Sequence, residues 1–301
     1  MSEEPQSSAD AGFDQVLGFT IRERNARGRI VRLGPVLEDV LSSHAYPVAI
    51  RHLLAEALTL TALLGSLLKD DGSQLTMQAQ SPDGIVQLLV CDYRSGELRG
   101  YVRHDPERLA ALETMPSLSS LFGKGYLAVT FDIGDTGQRY QGIVPLEGES
   151  LGEACEAYFA QSEQVPTLIR IGVRFARGAT VAGGILVQHL ADGEDGRERL
   201  HVRMDHPEWE HVAIMAGSVK NEELVDADLA LEQVVWRLFH DEGEVRVEPH
   251  RQLTKGCRCS AEHYQSVLSR FGQADIEEMR EDDGSISVDC AFCSKVFRID
   301  L

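Results

Sequence analysis

The sequence predicts an α+β protein with a sheet-rich N-terminal core, a mostly helical linker and a small C-terminal unit rich in cysteine. Three observations carry that prediction. The window 47–68 repeats its apolar residues at three- and four-residue steps, the period of a helix. The apolar residues between about 75 and 190 mostly alternate or run in short stretches, the period of strands. Four of the six cysteines fall after residue 256, as two close pairs.

Taken in order, residues 1–12 are polar and acidic and read as a disordered tail. Val16–Ile21 and Gly28–Leu33 read as two strands around the polar turn Asn25-Ala26-Arg27-Gly28. Pro47 suits a first helical turn, and Leu53, Leu54, Ala57, Leu58, Thr61, Leu64, Leu67 and Leu68 give one helix a wide apolar face. Asp70-Asp71-Gly72 ends it. Leu75, Met77 and Ala79 then alternate with polar partners. Ile85–Cys91, Leu98–Arg103, Tyr126–Asp132 and Arg139–Val144 complete this strand region. Ser150-Leu151-Gly152-Glu153 is a capping-box pattern that should start a helix to about Ser162. Thr167–Phe175 and Thr180–His189 are two further strands.

The core therefore spans 13–190. The charged, glycine-containing stretch 191–199 marks a boundary. A linker over 191–250 follows. Pro207 opens one helix to about Ala216, and Leu224–Phe239 reads as another with Leu224, Ala227, Leu231, Val234, Val235 and Leu238 on one side. Trp209 and Trp236 read as packing residues against the core. Residues 251–301 form the C-terminal unit. There Ser260 caps a helix over Ala261–Phe271 with Tyr264, Val267, Leu268 and Phe271 inward, and a hairpin carries the last two cysteines at its tip.

Length and composition narrow the function. The chain of 301 residues has 48 acidic and 29 basic groups, a formal net charge of -19. Such a surface repels nucleic-acid phosphates and anionic membranes. The longest apolar stretch, Leu53–Leu68, is interrupted and shorter than the run of about 20 residues that spans a bilayer. The N-terminal segment has no basic n-region or apolar h-region, so the expected location is the cytoplasm. In that compartment clustered cysteines point to metal or redox chemistry rather than a disulfide framework.

The cysteine text is Cys257-Arg258-Cys259, then thirty residues, then Cys290-Ala291-Phe292-Cys293. A structural zinc ion takes four ligands in a tetrahedron and favours thiolate, so two close pairs brought together supply one complete site. The expected metal ligands are Cys257, Cys259, Cys290 and Cys293, holding one Zn2+. The apolar residues around them are too few to hold a unit of this size, so the metal should supply much of its folding energy. Cys91 and Cys155 sit among apolar neighbours and read as small buried hydrophobes. No phosphate-binding loop and no nucleophile elbow occurs, which argues against ATP use and against hydrolase chemistry. Four thiolates leave no open coordination position for a catalytic zinc, so no enzyme activity is expected. A zinc-ribbon binding module without redox switching is the alternative, but 251–301 carries fewer basic than acidic side chains, unlike a nucleic-acid reader.

The two cysteine pairs and their spacer resemble the C-terminal zinc site of the redox-regulated heat-shock proteins of 33 kDa, bacterial holdase chaperones. EALTLTALLGSLL (56–68), GKGYLAVT (123–130), YQGIVPLEGE (140–149), YFAQSEQVPT (158–167) and AGGILVQ (182–188) resemble that family's core segments in the same order. The resemblance implies an ATP-independent holdase, weak when reduced and zinc-bound. It implies that oxidation forms disulfides Cys257–Cys259 and Cys290–Cys293, that zinc is released, and that the C-terminal unit and linker unfold. It further implies binding of unfolding client proteins, a homodimer when oxidised, and hand-over to a foldase system.

Overall fold

The computed structural model describes residues 12–69, 72–112, 116–134, 136–176, 178–190 and 206–300. The expected tail, apart from Gly12, and the charged boundary 191–199 lie outside them.

Strands β1 (Gln15–Ile21) and β2 (Ala26–Leu33) form a hairpin that turns through Asn25 in the left-handed region, φ 46°. Helix α1 (Pro35–Leu41) follows, an element the sequence pattern does not announce. It is only seven residues long, and its first turn is held by a distant group: the Asp14 carboxylate accepts from the N–H of Gly34 (2.9 Å) and of Val36 (3.0 Å). Helix α2 (Val48–Gly65) confirms the periodic window, with Pro47 as its N-cap and an end three residues early.

Strands β3 (Gln74–Gln80), β4 (Val86–Arg94) and β5 (Glu97–His104) come next, then the short helices α3 (Pro106–Ala110) and α4 (Leu118–Phe122), and strands β6 (Tyr126–Ile133) and β7 (Gln138–Pro145). Helix α5 (Leu151–Tyr158) begins as expected at Ser150, whose hydroxyl accepts from Glu153 N–H at 3.1 Å. The return bond of the capping box is displaced: Glu153 accepts from Glu149 N–H rather than from Ser150. The helix continues as a π-helical turn over Phe159–Glu163. Strands β8 (Thr167–Ala176) and β9 (Ala179–His189) close the N-terminal region.

Beyond it lie α6 (Pro207–Gly217), α7 (Asn221–Leu224), α8 (Leu231–Phe239), β10 (Val245–Val247), β11 (Arg251–Gln252), β12 (Thr254–Lys255), α9 (Ala261–Leu268), α10 (Gln273–Met279), β13 (Ile286–Asp289) and β14 (Val296–Ile299). The single helix expected over 224–239 is two. The chain leaves helical geometry between Leu224 and Leu231 because the Glu223 and Leu224 carbonyls, which a continuing helix would bond internally, accept from Arg32 of β2.

Two sheets sandwich α2. One runs β10-β1-β2-β9-β8, with β11 also on β1; the other runs β12-β5-β4-β3-β6-β7. Helix α2 would be long and apolar enough to cross a membrane by length and composition. Here it is the central core helix, with Leu54, Leu58 and Leu64 buried against both sheets. Its two buried threonines, Thr59 and Thr61, donate to the carbonyls of Ala55 and Ala57 four residues back, so no hydroxyl is left unsatisfied.

The first sheet is buried on both faces. Val31, Leu33, Ala182 and Leu186 face α2, while Phe19, Ile30, Ile185 and Val187 face α6 and α8 through Trp209, Val212, Leu231, Val235 and Leu238. That is why β9 reads as a nearly continuous apolar run. Trp209 packs there as expected, but Trp236 does not: it is 66% exposed and lies against His240 on the outer side of α8. The charged stretch 241–250 turns over 241–243 and then extends, and β10 joins the first sheet beside β1.

Candidate metal centre

The C-terminal unit holds a third and much smaller core: Leu268, Ile286, Phe297 and Ile299 are buried around Cys290. Strands β13 and β14 pair in register from Ile286↔Ile299 to Asp289↔Val296. Cys290 and Cys293 lie on the connecting turn, closed by Ser294 at φ 58° and by Ser294 N–H donating to Cys290 O at 2.8 Å. Cys257 and Cys259 sit on the extended segment between β12 and α9. Ser260 caps α9, its hydroxyl accepting from His263 N–H at 3.2 Å. Of the four residues expected to face inward on this helix, Leu268 is buried and Tyr264 packs on Phe297. Val267 and Phe271 are instead exposed, because the unit has no second layer to cover them.

The fold brings all four expected cysteines together. Their Sγ atoms lie within 4.8 Å of one another. Cys257 Sγ is 3.4 Å from Cys259 Sγ and 3.6 Å from Cys290 Sγ, and Cys259 Sγ is 3.5 Å from Cys293 Sγ. Tetrahedral zinc–thiolate bonds of about 2.3 Å place neighbouring sulfurs about 3.8 Å apart, so this donor set fits such an ion. Among the described residues these four make the only such cluster of Cys, His, Asp and Glu, and His263 is not part of it.

The electrostatics of the cluster point the same way. Burial pushes the Cys259 thiol well up, and the neighbouring thiols push it further. Burial also raises Cys293. At Cys290 burial again opposes ionisation, but the Tyr264 hydroxyl and the N–H groups of Cys293 and Phe292 donate to the sulfur and bring it down to about 6. One thiolate is thus provided for by the protein. Four at this spacing need a cation among them.

Cys91 and Cys155 are fully buried in the main core, and burial raises both thiols far above their usual range. They lie apart from the cluster, as expected.

The attachment of this unit to the core is almost unmarked in the sequence. Strand β12 runs parallel to β5, and Gly256 N–H donates to Leu98 O at 2.9 Å. The residues set between the cysteines then contact the core. Arg258 reaches buried Asp92 at 3.4 Å, which also takes Arg99 at 2.5 Å and the Thr76 hydroxyl at 2.7 Å. Arg99 lies over the Phe292 ring, 4.0 Å from its centre. His44 Nε2 is 2.8 Å from Ala291 O, and the Ser294 hydroxyl donates to Ser43 O at 2.6 Å. The one signal in the sequence is an arginine and a phenylalanine inside the cysteine pairs, where a bare metal knuckle has no need of them.

The site and fold together define a two-sheet α+β protein carrying, on a small C-terminal unit, a four-cysteine cluster able to hold a metal ion. A family model described as "Hsp33 protein" matches residues 14–300. The 33 kDa chaperonin of Caulobacter vibrioides is 41% identical over 295 residues, covering 95% of each chain. That of Yersinia pestis is 33% identical, covering 96% of this chain and 93% of its own. A crystal structure of the 33 kDa chaperonin (heat shock protein 33 homologue) from Thermotoga maritima shares the fold, with a TM-score of 0.76 over 95% of both chains at 23% identity. This chain belongs to the Hsp33 family of heat-shock chaperones, and it is a chaperone rather than an enzyme.

Proposed function

We propose that the chain is an ATP-independent cytoplasmic holdase switched on by oxidation of a Zn2+ centre formed by Cys257, Cys259, Cys290 and Cys293. The observation that carries this reading is the pairing of that cluster with so small a core: among the described residues, Leu268, Ile286, Phe297 and Ile299 are the buried apolar side chains packed around the cysteines. Bound zinc would hold four thiolates deprotonated and cross-link the Cys-x-Cys segment to the hairpin. The unit is read as 251–301, the linker as 191–250 and the core as 13–190.

In the switch, each cysteine pair gives up two electrons and becomes one disulfide. One hydrogen peroxide per pair takes those electrons with two protons and leaves as two waters. The pairs are Cys257–Cys259 and Cys290–Cys293. Pairing inside each knuckle removes the link between the knuckles, whereas pairing across them would preserve it. The contacts of Arg258, Ala291, Phe292 and Ser294 with the core depend on knuckle geometry, so they loosen with it. The linker helices then uncover the outer face of the first sheet, where Phe19, Ile30, Ile185 and Val187 can hold unfolding clients. The oxidised form dimerises and later releases its clients to a foldase system.

The test is metal content and suppression of client aggregation measured on one sample, before and after peroxide with mild heat. Activity that rises as about one equivalent of zinc leaves supports the switch. Retained zinc with no gain in activity leaves a structural zinc module.

A further inference from the structure

The sheet face that carries the linker holds a site built for main chain. The register of β2, β9 and β8 sets Arg32 beside Gly183 and Gly183 beside Gly172, one row across three strands. The Arg32 side chain is fully buried. Its Nε donates to Leu224 O at 2.9 Å, Nη1 to Leu229 O at 2.8 Å and Nη2 to Glu223 O at 3.2 Å. Two residues along β8 from Gly172, Arg174 Nη2 donates to Val225 O at 3.0 Å. Among the described residues no carboxylate forms an ion pair with Arg32.

The two glycines make room for the same segment. A Cβ on Gly183 would lie 2.1 Å from Leu224 O, and its nearest neighbours would all be atoms of Leu224. A Cβ on Gly172 would lie 2.8 Å from Asn221 O, and its nearest neighbours would all be atoms of Asn221. Neither glycine has positive φ. Their small size therefore serves close approach of the linker backbone rather than a backbone conformation or the packing of the core. The row recognises four carbonyls of one short segment, with the apolar side chains of Leu224, Val225 and Leu229 buried beside them. Any unfolded chain offers the same groups. A guanidinium, which only donates, needs acceptors of this kind once its own are withdrawn.

We propose that the Arg32–Gly183–Gly172 row, with Arg174, is a peptide main-chain binding site, filled at rest by residues 221–229 and by a segment of unfolded client once the linker leaves. The second half rests on the holdase reading above. The test uses the full chain, metal-loaded and peroxide-treated, with a permanently unfolded probe, reduced and carboxymethylated α-lactalbumin. In the metal-loaded form, Gly183→Ala should expose 219–231 to protease while the four switch thiols stay protected from alkylation. In the oxidised form, Gly183→Ala should bind the probe about tenfold more weakly than wild type, and Arg174→Gln about threefold, as expected for losing several main-chain hydrogen bonds or one. Arg174 is exposed and its variant decides the question if Gly183→Ala fails to fold. Oxidised wild type that binds while both variants bind equally well overturns this site alone. A linker still protected in metal-loaded Gly183→Ala overturns it as well. Oxidised wild type that does not bind the probe overturns the holdase reading and this site with it.

Discussion

Tyr264 stands where a single residue outside the four cysteines would tune a metal held by them. Its hydroxyl donates to Cys290 Sγ and its ring packs on Phe297, so it both orients a ligand and fills the small core. Such outer partners typically change metal affinity by about ten- to a hundredfold. Tyr264→Phe keeps the ring and should lose zinc to a chelator at about tenfold lower concentration, read by a competing metallochromic dye. Glu56 sets a pH dependence far from the metal. Half-buried on α2, it accepts from Leu151 N–H at 2.8 Å and Gly152 N–H at 3.4 Å at the start of α5. Burial raises it to about 7 against those two donors, with the charge of Glu153 adding to the rise. The folded state therefore binds this proton more tightly than the unfolded chain. The resulting stability is present at low pH and is lost as pH rises from about 4.5 through about 7. The unfolding free energy from denaturant titration should fall over that window by at most about 1.4 kcal/mol per pH unit, and Glu56→Gln should flatten the fall.

At the scale of elements, the decisive junction is the one between the cysteine knuckles and the second sheet. Asp92 on β4 is its hinge pin, 4% exposed at the side chain and serving Thr76, Arg99 and Arg258 at once. Asp92→Asn leaves Arg99 without its anion, which costs about 3–5 kcal/mol for a buried pair broken from one side. The expected result is a C-terminal unit that cleaves more readily near β12 while its zinc content stays at one equivalent. Equal protease resistance would mean that β12 alone holds the unit. The short strands β10, β11 and β12 matter for the same reason: they stitch 245–255 to both sheets, so the chain entering the metal unit is fixed to the core on its way.

For the whole molecule, the three cores differ in what sustains them. The central one packs α2 between two sheets and needs no ligand. The outer one forms only while the linker helices lie on the first sheet. The third is small and built around cysteine. Chelation of the reduced protein should therefore abolish amide-exchange protection in β13 and β14 and leave β3 and β6 protected, with intermediate loss in α6 and α8. By contrast Leu58→Ala in α2 should lower global stability by about 2–5 kcal/mol without touching metal content. Uniform loss of protection on chelation would contradict this division.

The elements whose causes are local, and the cysteine set, are written in the sequence alone. Helix α2 and strand β3 are legible because their periodicity reports a buried face, strands β6 and β9 because their short apolar runs do, and Ser150 and Ser260 because a cap needs only its own helix. The four cysteines are legible because tetrahedral thiolate ligation demands that residue type at close spacing. Tertiary structure decided whatever depends on a distant partner. Helix α1 relies on Asp14, the break between α7 and α8 on Arg32, and the exposure of Trp236 and Phe271 on which neighbours are missing. The docking of Arg258 and Phe292 on Asp92 and Arg99 belongs to the same class. A charge or a ring in the sequence carries no record of the group that will satisfy it, because that group is brought close only by the folded chain.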